Sequence, residues 1–491
     1  MFSKLLKINY LSFAINTSVF ISGGVVMAFE LTGSRIVAPY LGNSITVWTS
    51  LIGVILAFLS LGYYVGGKAA DKKSDVKIFS LFLLISAFFI AFTLLIKDFV
   101  LGLINPSYNL ELYSIIVSAT LFGPAGFFLG LIAPYATRLK INNLKGAGGQ
   151  IGSVYALSTL GSIFGTFLAG MFLIPFFGST KIIIILVLAQ CLNALLYFKY
   201  WNLKMYIFPA ILFFTIFIPA RSESHVIYDE DTKYGRVQVV RGVDPKTGRE
   251  ANYLKEDIFG LQAASFLDSD ELVFEIIKFF TLADYFKPQP NDALMIGGGT
   301  FSYPTYFVSK NPKAVIDVVE INPDLTRIAK DYFNFKENPR LNIINQDGRL
   351  FLNSNDKKYD HIYIDAYKSD TSAPFQLATK EAVRKVSESL KANGIVVANI
   401  IGSTEGSKSR FLKSTVSTYK EEFSTVRLFL TQSDDPLEIQ NIMLVAYNDV
   451  DINDAAKNKY SNFLKREYKK NIDSGLILTD DYAPVEFLMR R

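Results

Sequence analysis

The chain has 491 residues, half of them apolar and 14% aromatic, and its apolar residues crowd into the first 220 positions, so one ordinary domain is excluded and two are expected. The formal net charge of +5 sits partly in short loops, with no basic patch interleaved with aromatics, which argues against a nucleic-acid partner. A single cysteine, Cys191, and two histidines, His225 and His361, exclude an internal disulfide and a cysteine metal cluster and leave no expected metal site or histidine triad.

Seven apolar runs follow one another near residues 10–30, 45–66, 77–96, 113–136, 151–176, 180–198 and 204–220. Each approaches the roughly 17 to 25 residues that a bilayer span requires. Residues 1–220 therefore read as a polytopic α-helical membrane domain of about seven helices, with the lipid bilayer as its partner. The first run reads as a retained helix rather than a cleaved signal, being long and followed by Glu30 and Arg35. Those two ionisable residues suggest either a structural pair clamping the first two helices or a polar cavity for a cationic or amphipathic molecule. Small residues four apart, Gly62 with Gly66 and Gly126 with Gly130, suit close helix packing in lipid.

Lys68, Lys72, Lys73 and Lys77, then Arg138, Lys140 and Lys145, then Lys199 and Lys204 place their loops and the N-terminus in the cytoplasm. Seven spans then put the C-terminal domain on the opposite face. A ligand made in the cytoplasm favours the inside; either one run is miscounted, interfacial or re-entrant, or the soluble domain works outside.

Residues 221–290 read as a small β-hairpin region with a connecting helix. Strands are expected at Tyr234–Val240 and Ala251–Leu254 around a turn at Asp244–Gly248, and a helix over Asp270–Phe280. Residues 291–491 then alternate strand and helix, with strands at Ala293–Ile296, Val315–Val319, Leu341–Ile344, His361–Ile364 and Ile395–Asn399 and helices at Asp324–Tyr332 and Thr379–Leu390. That alternation predicts a parallel, Rossmann-like α/β sheet that binds its ligand at the carboxyl ends of the strands. His361, inside a strand, reads as structural.

The strand ends carry the chemistry. Gly297, Gly298 and Gly299 form a turn that lets a ligand approach the backbone. Glu320 ends the second strand, where a carboxylate can accept from both ribose hydroxyls. Asp347 and Gly348 follow the third strand, where Asp347 can take an adenine amino group. Asp365 ends the fourth, where it can hold a cation or take its proton.

Residues 227–490 resemble the spermidine synthase family of polyamine aminopropyltransferases, and the whole chain resembles its membrane-fused branch. The matching residues are Gln262, Asp270-Glu271, the Gly297–Gly299 turn, Val319-Glu320-Ile-Asn, Asp347-Gly348-Arg349, Tyr363-Ile-Asp365-Ala-Tyr with Ser369-Asp370 and Pro374, and Leu478-Thr-Asp480-Asp481-Tyr-Ala-Pro484-Val-Glu486. The resemblance implies a methyltransferase-type sheet. It also implies transfer of an aminopropyl group from decarboxylated S-adenosylmethionine, a co-substrate and not a permanently bound cofactor, to a diamine such as putrescine. Carried over by position, the glycine turn, Glu320, Asp347 and Gly348 hold the nucleoside and Asp365 is the catalytic base. Gln262, Thr300, Asp370 and Pro374 fall on the substrate side.

Three positions depart from the family pattern. Thr300 stands where the family's glycine turn continues into Asp; Phe274-Glu275 replaces a Tyr-His pair, and Tyr234-Gly235 replaces Tyr-Gln. Glu275, Asp370 and Asp480 are candidates to supply the missing carboxylate. Two rival readings stay open: an S-adenosylmethionine-dependent methyl- or other alkyltransferase, and a non-catalytic polyamine transporter or sensor. The acceptor amine and the oligomeric state, a homo-oligomer included, are left open.

Overall fold

A computed structural model describes the chain except for residues 1, 104–108, 142–145, 203–204, 206–224, 257–259, 367–372, 451, 453–455 and 490–491. It divides into two compact units, residues 1–222 with 230–235, and residues 223–229 with 236–491.

The first unit is helical. Four helices are long and apolar enough to cross a membrane: Tyr10–Leu41, Ile45–Lys72, Val76–Gly102 and Ala147–Phe176. The run expected at 113–136 is not one straight helix but a pair, Leu110–Leu121 and Gly123–Lys140, bent by 52°. Pro124 in the first turn of the second piece accounts for the break, since proline begins a helix readily and cannot continue one without losing a hydrogen bond. Counting the bent pair as one span gives up to five. The sixth run forms Ser179–Leu195, a helix of 17 residues, and the seventh lies outside the described residues.

Close packing follows the small residues. A Cβ on Gly62 would sit 2.3 Å from the Phe127 carbonyl oxygen, so a larger side chain there forces Ile45–Lys72 away from the helix Gly123–Gly130. Several polar groups inside the unit pair with one another, although the buried Asn193 Oδ1 finds no partner among the described residues. Gln190 donates to Ser86 at 2.9 Å and to Ser22 at 3.1 Å, and Ser18 and Tyr197 share a hydrogen bond of 2.9 Å. The expected clamp between Glu30 and Arg35 is not formed among the described residues. Both lie on one helix five positions apart, where side chains point away from each other, and Arg35 instead donates to the Lys233 carbonyl.

The second unit holds two sheets. A four-stranded sheet runs in the order β1 (Val226–Thr232), β2 (Gly235–Val243), β3 (Glu250–Lys255), β4 (Ala263–Phe266). β2, β3 and β4 pair antiparallel. The helix expected over Asp270–Phe280 begins only at Glu275 and is one turn long. Arg249 accounts for the delay, because its guanidinium donates to Ser269 at 2.6 Å and to Glu271 at 2.6 Å and also grips Asp268, holding that segment off helical geometry.

The large sheet contains β5 (Asp292–Ile296), β6 (Val315–Val319), β7 (Leu341–Ile344), β8 (Tyr359–Ile364), β9 (Leu390–Gly402), β10 (Thr425–Leu430) and β11 (Gln440–Tyr447), in the order β10-β11-β9-β8-β5-β6-β7. β7, β6, β5, β8 and β9 are parallel. β11 and β10 add to that edge antiparallel, so the sheet is mixed and the all-parallel expectation stops at β9. Alternate residues feed two cores: Leu294, Ile296, Ile362 and Ile364 face one, Ala293, Met295, Ile316 and Tyr363 the other. Both faces are covered, which is why these strands read as continuous apolar runs. The chain leaves β5 towards β6 on one side and reaches β8 on the other, and such a reversal opens a crevice beyond the carboxyl ends.

Candidate active site

The crevice is a cavity of about 340 Å³. Its lining includes Gly297, Gly298, Gly299, Thr300, Glu320, Asp347, Gly348, Asp365, Gln262 and Pro374. Ten of the eleven site residues expected from sequence are thus gathered in one place; the eleventh, Asp370, lies outside the described residues.

The glycine turn is shaped by its surroundings. Gly297 has φ of +93°, and a Cβ there would meet the Asp365 carbonyl oxygen at 2.0 Å, so no other residue fits without moving β8. Glu320 is built into the same turn. Its Oε2 accepts from the backbone N–H groups of Gly298 at 2.8 Å and Gly299 at 3.2 Å, and its Oε1 from Asn322 N–H at 2.9 Å. A carboxylate has about four acceptor positions. Three are filled, so in this arrangement one hydroxyl, not two, finds an acceptor on Glu320.

Asp347 caps the helix Gly348–Ser354 through one oxygen, Oδ1, which accepts from Arg349 and Leu350 N–H at 2.9 and 3.1 Å. Its other oxygen has no protein donor among the described residues. Thr300 is 3% exposed, and its hydroxyl lies 2.6 Å from Ser302 Oγ. Ser302 spends its own proton on the Ala264 carbonyl at 3.0 Å, so Thr300 donates to Ser302 and keeps its acceptor lone pairs.

Asp365 ends β8 on the cavity wall and accepts a 3.0 Å hydrogen bond from Asn399 Nδ2. Burial pushes its carboxyl up to about 6, against the smaller opposing effect of Asn399. Asn399 was within the strand expected at Ile395–Asn399, yet only the parallel register of β8 with β9 shows that it faces Asp365.

The two ends of the sheet treat carboxylates differently. Near the amino end of β8, Asp360 is within 3.0 Å of both Lys287 and Lys391, and in the middle of β6 Asp317 is 2.9 Å from Lys357. At the carboxyl ends, Glu320, Asp347 and Asp365 have no basic partner among the described residues. Acidic groups converging on a cavity with no cationic side chain among its described lining residues favour a positively charged ligand. His361, by contrast, is fully buried in β8, donates from Nε2 to the Lys287 carbonyl at 2.8 Å, and is pushed down to about 4 by burial.

Sequence reasoning noted Phe274 only as a departure from the family pattern and missed the rest of the lining around it, Glu256, Ala263, Leu272, Val273 and Ile277. A local pattern could not reveal it, because these residues reach the cavity only when the small sheet and the irregular segment fold over the strand ends. Of the residues considered for the missing carboxylate, Glu275 pairs with Lys278 at 2.7 Å and Asp480 with Arg349 at 2.6 Å; neither lines the cavity.

Residues 275–432 match the model of the spermine/spermidine synthase domain. That segment carries a spermine/spermidine synthase domain. A probable polyamine aminopropyl transferase from Bifidobacterium longum is 27% identical to it over 289 residues, 54% of this chain and 63% of that protein. Polyamine aminopropyltransferase 2 from Aquifex aeolicus is 23% identical over 409 residues, 79% of this chain and 78% of that protein. Those aligned positions outnumber the 271 residues that follow residue 220 (491 − 220), so the likeness runs beyond the synthase domain into the apolar half. A solved probable spermidine synthase from Corynebacterium glutamicum is 19% identical, with a TM-score of 0.39, over 53% of this chain and 90% of that one. The relatives are named for an enzyme family, the polyamine aminopropyltransferases.

Proposed function

We propose that the protein is a membrane-bound aminopropyltransferase. It takes the aminopropyl group of decarboxylated S-adenosylmethionine to a primary amine, of which the diamine putrescine is the simplest to assay. The convergence of Glu320, Asp347 and Asp365 on one cavity without basic partners among the described residues carries the reading, because donor sulfonium and acceptor ammonium are both cations. The synthase-domain match and the relatives' names support it.

In this reading Gly297 to Gly299 and Glu320 hold the ribose end, and Asp347 with Gly348 receives the adenine. Asp365 accepts a proton from the acceptor ammonium. The freed lone pair then forms a C–N bond to the donor carbon next to sulfur, the C–S bond breaks, and its electron pair leaves on sulfur as neutral methylthioadenosine. An alkylammonium near pKa 10.4 is a poor proton source for an ordinary Asp near 3.9, a gap of about 9 kcal/mol. With Asp365 at about 6, the gap falls to roughly 6 kcal/mol. Lining up nucleophile, carbon and sulfur supplies much of the remainder.

Four long apolar helices support a multi-pass location in the cell membrane, with the synthase domain on the cytoplasmic side where a nucleoside donor is made. A second reading, alkyl transfer from S-adenosylmethionine itself, is favoured by one observation: Thr300 offers a hydroxyl and not a carboxylate to the donor's tail. One experiment separates the two. Full-length protein is incubated with each donor and an amine panel, and products are identified by mass. Methylthioadenosine with an aminopropylated amine supports the proposal; S-adenosylhomocysteine with a methylated product defeats it, and so does ligand binding without turnover.

A further inference from the structure

Arg349 follows Asp347-Gly348 directly, on the first turn of a helix, and its guanidinium is only 15% exposed. It does not line the cavity itself but runs behind Asp347 and Gly348 to the segment 376–379. Nη1 donates to the Gln376 carbonyl and to Thr379 Oγ1, each at 3.0 Å. Gln376 and Leu377 line the cavity beside Asp347 and Gly348, where a Cβ on Gly348 would touch Leu377 at 3.5 Å, so this one side chain ties two adjoining lining segments together.

Its orientation is set from the far end of the chain. Asp480 grips the guanidinium with both oxygens, Oδ1 at 3.1 Å and Oδ2 at 2.6 Å, the two-pronged geometry that fixes an arginine plane. Asp480 is itself held. It accepts from Thr379 Oγ1 at 2.7 Å, and its backbone N–H donates to Glu381 at 2.9 Å. The neighbouring Leu478 carbonyl accepts from Lys380 N–H at 2.7 Å, and Leu478 is fully buried. Without the carboxylate the guanidinium keeps its single bonds to Gln376, Thr379 and Asn353 but loses the two-pronged partner that fixes its plane.

We infer that Asp480 is a positioning residue for the nucleoside, acting through Arg349 to hold the adjoining lining segments 347–348 and 376–377 in their binding register. The inference rests on the nucleoside reading of the cavity. It also gives the segment Leu478–Tyr482, 130 residues beyond Arg349 in sequence, a task in substrate binding although it does not line the cavity.

The test is methylthioadenosine binding to the full-length protein by calorimetry, beside steady-state kinetics. Asp480→Asn weakens binding about tenfold and raises the donor KM in proportion, with kcat and the acceptor KM little changed. Asp480→Glu, which keeps the charge, recovers most of the affinity and remains informative if the asparagine variant does not fold. Asp473→Asn, which breaks an exposed pair with Lys413 on the same C-terminal segment, leaves binding unchanged. Arg349→Gln and the double variant Arg349→Gln/Asp480→Asn bind equally, because the carboxylate acts only through the arginine. If wild type binds and either Asp480→Asn matches it or the two losses multiply independently, the inference is overturned alone. If wild type does not bind methylthioadenosine, the nucleoside reading falls and takes the inference with it.

Discussion

Asn399 and Asp365 meet side by side across β9 and β8, the amide donating at 3.0 Å to a carboxylate that has no other protein donor among the described residues. One neutral hydrogen bond does not offset burial, so the carboxyl rests near 6 rather than in the usual carboxylate range.

The first consequence is catalytic. Asp365→Asn keeps the shape of the site and removes the proton acceptor, so transfer falls by about 10² to 10⁴, the usual worth of a general base. Methylthioadenosine affinity stays within a few-fold, since Asp365 acts on the amine. Product formation and calorimetry on the same preparation check the pair; equal losses in both would reassign the residue.

The same group governs pH dependence. Below about pH 6 Asp365 is protonated and cannot accept a proton, so kcat/KM rises with pH through that value, and Asp365→Asn lacks that limb. A rate profile from pH 5 to 9 reads it directly.

Its stability sign is opposite to that of a salt-bridged Asp. The folded value, about 6, lies above the unfolded one near 3.9, so folding favours the protonated form. This group's contribution is fully present below about pH 4 and is lost as pH rises through about 6. Asp365→Asn should therefore stabilise the protein by roughly 1 to 3 kcal/mol at pH 8 and not at pH 4. Denaturant midpoints at the two pH values test it.

Glu320 is bound by backbone on three sides. Glu320→Ala strips acceptors from Gly298, Gly299 and Asn322 and leaves buried N–H groups unpaired. Nucleoside binding should weaken by roughly 1.5 to 3 kcal/mol or more, with a parallel loss of stability that Asp365→Asn does not show. Two variants with the same profile would undo the division of roles.

In the helical unit, Gly62→Leu places a side chain against the Phe127 carbonyl, where even a Cβ sits at 2.3 Å. The detergent-solubilised protein should melt several degrees lower, whereas Gly53→Leu, a site with no atom within 4 Å, should not. Thermal scans of the two variants compare them.

Much of this molecule is local and so readable in one dimension. Apolar runs of bilayer length, strands at Ala293–Ile296 and Val315–Val319, the triple glycine and the acidic residues after successive strands each report a short-range rule of burial or backbone freedom. Composition also placed the change from apolar to mixed sequence near residue 220. What folding alone decided depends on residues far apart. Arg249, in the turn before β3, holds residues 268–271 out of a helix. The antiparallel β10 and β11 attach to an edge that sequence order does not specify. Glu320 turned out to brace the glycine loop, Asn399 to face Asp365, and Asp480 to hold Arg349 from 131 positions away. A side chain's type is written in the chain, but the partners that set its charge, its free lone pairs and its task arrive only with the tertiary fold.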